Sequence, residues 1–253
     1  MPIHTNVETL QDVIRPALAL REDAECYLDI SPDEIRFRAR SEDREVYLDH
    51  TIPTTAPELS GIDVSGSYLV WLKNIKSIST VSSTEEVTIR IPAETPDATF
   101  TFQSGGLTYR NPPLSKANGH RVFDSITAEV ATEISIQNYV FNQAINLANL
   151  LGTSLQVHYN HDSKSIEFSA ENTEIGDSFH YSHAVEQIHC IQPEATELTI
   201  SIDRLRDLTP LVPAGSLVSL KLTPHHLTYR AEHPITGSNL TVYIAEYLKA
   251  IDG

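Results

Sequence analysis

The chain has 253 residues, 40% of them apolar, enough for two domains of about 125 residues with a core in each. Its 34 acidic residues against 18 basic ones give a net charge of −16, which repels nucleic acid at long range in dilute salt. No run approaches the roughly 18–20 apolar residues that span a bilayer, and Met1–Gln11 lacks a secretory leader's basic-then-apolar pattern, so a soluble cytoplasmic protein is expected.

In chain order the first element is a helix, because Leu10, Val13, Ile14, Ala17 and Leu20 form one apolar stripe. Thr5 and Glu8 have the spacing of a capping box at its start, and Pro16 is expected to kink or end it near Arg15. Strands follow at Glu34–Arg40 and Glu45–His50, where apolar and polar residues alternate. Leu69, Leu72 and Ile75 predict a second, short helix, and Glu86–Ile91 a further strand. The segment Asn111–Glu129 carries Pro112-Pro113 and Asn118-Gly119, which exclude regular structure. Its Val122, Phe123 and Ile126 make it more than a solvated tether. Beyond it, Ser135 precedes a third helix with Phe141, Ala144, Ile145, Ala148 and Leu151 on one face. Then come a strand at Ile166–Ala170, a short fourth helix of Leu205, Leu208 and Leu211 limited by Pro210 and Pro213, and a strand at Ser216–Leu222.

These elements read twice. The stripe of the first helix matches that of the third at a constant offset of 131 residues. Ile35 and Phe37 match Ile166 and Phe168 at the same offset, as do Val87, Ile89 and Ile91 with Val218, Leu220 and Leu222. Leu69, Leu72 and Ile75 fall opposite Leu205, Leu208 and Leu211 at an offset of 136. Four segments in one order argue for duplication. The expected fold is α+β: two similar domains, each with two helices packed on antiparallel sheets, at residues 1–113 and 130–253, with a long connector at 114–129.

No constellation for catalysis emerges, and the chain is read as no enzyme and as needing no cofactor or metal. His158 and His161, His180 and His183, and the pair His225-His226 lack a compact Cys/His ligand set, and residues three apart on a strand point to opposite faces. Cys26 and Cys190 are far apart among apolar neighbours, which favours buried thiols over a disulfide. Gly105-Gly106 does not open a helix after a strand, so a phosphate loop is not indicated. The pairs Glu22-Asp23, Glu42-Asp43 and Glu85-Glu86 read as solvated charge, and Trp71, Tyr27, Tyr47 and Tyr68 as core or sheet-surface residues.

The duplicated α+β half, the long connector and the length together resemble the proliferating-cell-nuclear-antigen (PCNA) type of sliding clamp, over the whole chain. The most telling local pieces are TAEVATEI at 127–134 and TVYIAEYL at 241–248. The resemblance implies a DNA clamp that encircles double-stranded DNA, without sequence preference, as a head-to-tail homotrimer with itself. The helices would line the hole, and DNA polymerase, a clamp loader and other peptide-motif partners would dock outside. The residues it turns toward DNA are Gln11, Arg15, Arg21, Lys73, Lys76, Asn138, Asn142, Asn146, Asn149, Arg204 and Arg206. Ring closure would pair Leu107, Thr108, Tyr109 and Arg110 of one copy with the segment of Phe179, His180 and Tyr181 of the next. The partner groove would draw on Arg40, Arg44, Val122, Phe123, Ile126, His226, Tyr243, Ala245 and Tyr247.

The sequence departs from that family in three places. Its third helix has no basic residue where relatives crowd lysine and arginine. Ala245-Glu246 stands where Ala-Pro is common, and His225 or His226 replaces a frequent hairpin proline. Contact with DNA is therefore expected to be weak and only mildly salt-dependent, which a closed ring tolerates. In molar salt the Debye length is about 3 Å, so an acid-rich surface with only six lysines suits a halophilic archaeon or one of its viruses. Two other readings stay open: a clamp-like interaction platform or monomeric processivity factor without a closed ring, and an unrelated two-domain enzyme.

Overall fold

A computed structural model describes residues 2–20, 25–41, 45–55, 65–71, 86–91, 99–104, 107–111, 115–116, 132–191, 197–203, 205–232 and 237–246. The chain divides into two compact units, one of residues 1–41, 48–122 and 234–240, the other of 42–47, 123–233 and 241–253.

In the first unit, β1 (Pro2–Asn6) leads into α1 (Val7–Leu20), then β2 (Glu25–Ile30), β3 (Glu34–Arg40), β4 (Val46–Pro53) and β5 (Gly66–Trp71). After these come β6 (Glu86–Arg90), β7 (Phe100–Ser104), β8 (Leu107–Asn111) and the short β9 (Ser115–Lys116). One sheet has the order β1-β6-β7-β8; the other runs β9-β5-β2-β3-β4. Alternation produces the core directly: Val46, Leu48 and Ile52 of β4 are buried together with His50, while the residues between them are half-buried. Leu10, Ile14, Ala17 and Leu20 of α1 are buried, and α1 packs on β3.

The second unit repeats this plan with β10 (Thr132–Gln137), α2 (Asn138–Leu151), β11 (Ser154–Asn160), β12 (Ser165–Asn172), β13 (Asp177–Ala184), β14 (Gln187–Ile191) and β15 (Glu197–Ser201). It ends with α3 (Leu205–Leu208), a 3-10 turn (Thr209–Leu211), β16 (Leu217–Leu222), β17 (His226–Glu232) and β18 (Asn239–Ala245). Its strand orders are β13-β12-β11-β15 and β14-β10-β16-β17-β18. Phe141, Ala144, Ile145 and Ala148 of the α2 stripe are buried and Leu151 is half-buried; Phe141 lies between Phe168 at 6.0 Å and Tyr229 at 5.6 Å, centroid to centroid. Each such side chain contributes about 1.5–3 kcal/mol by leaving water.

Several expectations need correction. Leu69 belongs to strand β5, which pairs antiparallel with β2 just as β15 pairs with β11. The run GSYLVW is rich in aromatic and β-branched residues, and that preference prevails over the apparent helical spacing. Leu72 and Ile75 lie outside the described residues. Helix α1 does not end near Arg15 but continues through a buried Pro16 to Leu20, because Ala17 and Leu20 complete the packed stripe. Thr5 forms no capping box: it is the fourth residue of β1, and its hydroxyl is buried without a partner. Ser135 lies within β10, with its hydroxyl 2.7 Å from His189 Nε2, and Gln137 precedes α2 with no side-chain cap bond.

Candidate functional site

The helices carry the first set of candidate residues. On α2 the buried stripe leaves Tyr139, Gln143, Asn146, Asn149 and Leu150 exposed, with Asn142 half-buried at the margin. The sequence NYVFNQAINLANLL contains no charge, so this surface offers only neutral donors and acceptors, the amides and the Tyr139 hydroxyl. Arg206, exposed on α3, donates from Nη1 to Asn149 Oδ1 at 3.3 Å and has Asp207 at 3.7 Å. The neighbouring carboxylate offsets part of its positive charge. On α1, Arg15 is exposed and Gln11 half-buried. Arg21, Lys73, Lys76 and Arg204 lie outside the described residues.

Asn138 does not belong to this surface. It is 0% exposed. Its amide donates to Thr209 O at 3.0 Å and Val212 O at 2.7 Å, and its Oδ1 accepts from the Tyr229 hydroxyl at 2.9 Å. Burial of Tyr229 raises its pKa, so the phenol stays a donor. The asparagine pins the start of α2 to the turn after α3, and cannot touch a ligand. Helical spacing placed it in line with Asn142 and Asn146; the neighbours that cover it come from 71 to 91 residues downstream.

Candidate edges form the second set. β8 is the last strand of its sheet and β13 the last of its own. Thr108, Tyr109 and Arg110 are exposed on β8, while nothing is described of the Leu107 side chain. On β13, His180 points out and Phe179 and Tyr181 are half-buried. Tyr181 stacks on Phe168 with ring centroids 6.2 Å apart, and desolvation raises its pKa. His183 continues that face and meets Tyr139 edge-on at 6.2 Å.

Of the groove residues, Arg40 is exposed at the end of β3, and Tyr243 and Ala245 are half-buried on β18. Arg44, Val122, Phe123, Ile126 and Tyr247 lie outside the described residues. His226, expected in the groove, is instead buried: it is 8% exposed, with Nδ1 2.9 Å from Thr223 Oγ1. Burial lowers its pKa, helped by His225 and Lys221, so it stays neutral and closes the β16–β17 hairpin. Among the described residues no group of His, Cys, Asp or Glu could hold a metal, and no helix is long and apolar enough to cross a membrane.

No protein-family model and no curated protein matches the sequence. Solved structures do match. The chain is similar to a PCNA of A. fulgidus with the C-terminal region of FEN-1 bound, with a TM-score of 0.79 and 16% identity over 98% of this chain and 99% of that one. A PCNA of Thermococcus kodakaraensis gives 0.77 at 12% identity over 97% and 99%. The PCNA2–PCNA3 complex of Sulfolobus tokodaii gives 0.73 at 14% identity, again over 97% and 99%. The chain has the PCNA clamp fold. This chain has an uncharged α2 surface and a row of arginines, Arg36, Arg38 and Arg40, on β3. Gln143, Tyr139 and Arg38 were not among the residues singled out from sequence. The first two share the exposed spacing of Asn146, while Arg38 was legible only as every second residue of an arginine-rich strand.

Proposed function

We propose that this chain is a DNA sliding clamp: a homotrimeric ring around duplex DNA that raises polymerase processivity and docks replication and repair proteins. The likeness to PCNA structures over nearly the whole of both chains carries this reading. Two strand edges unpaired among the described residues, those of β8 and β13, support assembly, since an unpaired edge is a template for a strand of another copy. The amides of α2 suit brief, sequence-independent contacts with phosphate oxygens. The role is topological, with no reaction step, and calls for an intracellular site in contact with DNA. The domain limits 1–113 and 130–253, with the connector between, belong to the same reading.

Native mass tests it: about three times 28.1 kDa in molar KCl supports the ring, and a monomer overturns it. Tyr181→Pro is expected to give monomers, because proline disrupts the β13 edge on which a strand of the next copy would pair. A monomeric interaction platform is the second reading, favoured by the absence of any cation on α2. Primed-template synthesis with and without a clamp loader separates the two, because only an encircling clamp lengthens products in a loader-dependent way. The acid excess supports a halophilic archaeal or viral source, for which the melting temperature should rise steadily with KCl.

A further inference from the structure

We propose that the arginine-bearing face of β3 holds a carboxylate-recognition site centred on Arg38, which takes an aspartate or glutamate side chain of a docking peptide. Ile35, Phe37 and Ala39 point into the core beneath α1, so Arg36, Arg38 and Arg40 share the opposite face of the strand. Their guanidinium groups are treated differently. Arg36 is filled, donating from Nε to Asp49 Oδ1 at 2.8 Å and from Nη2 to Asp49 Oδ2. Arg38 is not. It is only 7% exposed, its Nη2 reaches Asp29, and its Nε and Nη1 are buried with no hydrogen-bond partner among the described residues.

Such a group is unusual because a guanidinium keeps its charge in a protein and cannot escape by losing a proton. Unpaired buried donors are costly, the more so on a charged group. A ligand oxygen that accepts from Nη1 or Nε recovers that cost on binding. A carboxylate fits best: its bonds to guanidinium are charge-assisted, and arginine's planar fork is shaped for it. Asp29 and Asp49 on the same face, within a chain of net charge −16, disfavour a doubly charged phosphate relative to a single carboxylate. Exposed Arg40, two residues along, extends the positive face to the end of the strand. Entry of the oxygen requires a neighbouring side chain to shift, and half-buried Tyr27, directly opposite Arg38 in the β2–β3 register, is the candidate. Side-chain motion of this kind is fast. The peptide-docking role rests on the clamp reading; the carboxylate site itself does not.

The test follows the Arg Nε–H resonances of the isotope-labelled full chain while propionate is titrated at constant ionic strength, with propionamide and sulfate as parallel arms. Propionate is expected to shift the Arg38 signal saturably, with propionamide at least about tenfold weaker because it lacks the charge. Asp29→Asn is expected to tighten propionate binding several-fold by removing the competing carboxylate, and Arg38→Met to abolish it. An Arg38 signal that does not saturate, a preference for sulfate, or an unchanged affinity in Asp29→Asn each overturns the site. Should Arg38→Met not fold, the wild-type and Asp29→Asn titrations decide alone. Trimer formation measured on the same samples keeps the two ideas separate: a trimer without the propionate response sinks only the site, and a monomer with it sinks only the clamp.

Discussion

Replacing Asn138 with alanine removes three hydrogen bonds from a region closed to water. Thr209 O keeps a partner, because it also accepts the backbone N–H of Val212 at 3.2 Å. Val212 O and the Tyr229 hydroxyl do not keep theirs, and those residues are 7% and 1% exposed. At about 1–3 kcal/mol for each orphaned group, Asn138→Ala should destabilise the chain by about 3–4 kcal/mol. Tyr229→Phe removes one donor and leaves a single lone pair on Asn138 Oδ1 short of a partner, for about 1–2 kcal/mol. In the double variant the phenol is no longer orphaned, so the combined loss should fall short of the sum by about 1 kcal/mol or more. Urea unfolding of the four proteins in constant KCl, followed by fluorescence and circular dichroism, gives the cycle. A loss below about 1 kcal/mol for Asn138→Ala, or strict additivity, would refute the argument that this amide is a buried tie and return it to the DNA-facing set.

The remaining predictions test the surface and the titrating groups. Asn146→Lys should raise the slope of log DNA affinity against log salt by about 0.9 while leaving stability unchanged, and an unaltered slope means that α2 does not face phosphate. His226 has a folded pKa below its ordinary 6.5, so the native state binds fewer protons than the unfolded one. Its contribution is complete above pH 6.5 and is lost as pH falls from there through the lower folded value, so unfolding midpoints should drop on acidification, and less steeply in His226→Asn. Burial pushes the Cys26 thiol up to about 12. In a Cys190→Ser background it should resist a thiol reagent at pH 8 until denaturant is added; rapid labelling of the native protein would show that the site opens.

Much of the fold was legible because burial follows period. Leu10, Ile14 and Ala17 opposite Phe141, Ile145 and Ala148 were readable as two copies of one stripe, and all six are buried, while Leu20 is buried opposite a half-buried Leu151. The arithmetic weakened where elements are short. Leu69 carries a spacing that fits three residues of helix as well as a strand, and only its pairing with Tyr27 of β2 settles the matter. The polar residues were less legible still. Asn138 and Asn146 are the same residue type, eight positions apart on one helix, yet one is sealed inside and the other faces water. His226 and Arg38 likewise carry side chains whose chemistry suggests a surface, and both lie beneath it.

The amino-acid order alone determined the duplication, the apolar stripes and most strands, since these depend on side chains within a few positions of one another. Tertiary structure alone decided which polar groups are sealed in. Whether an amide or a guanidinium finds partners depends on chain that arrives from another strand or turn, such as Thr209 and Val212 against Asn138, or Asp29 against Arg38. Local spacing carries no record of those distant neighbours.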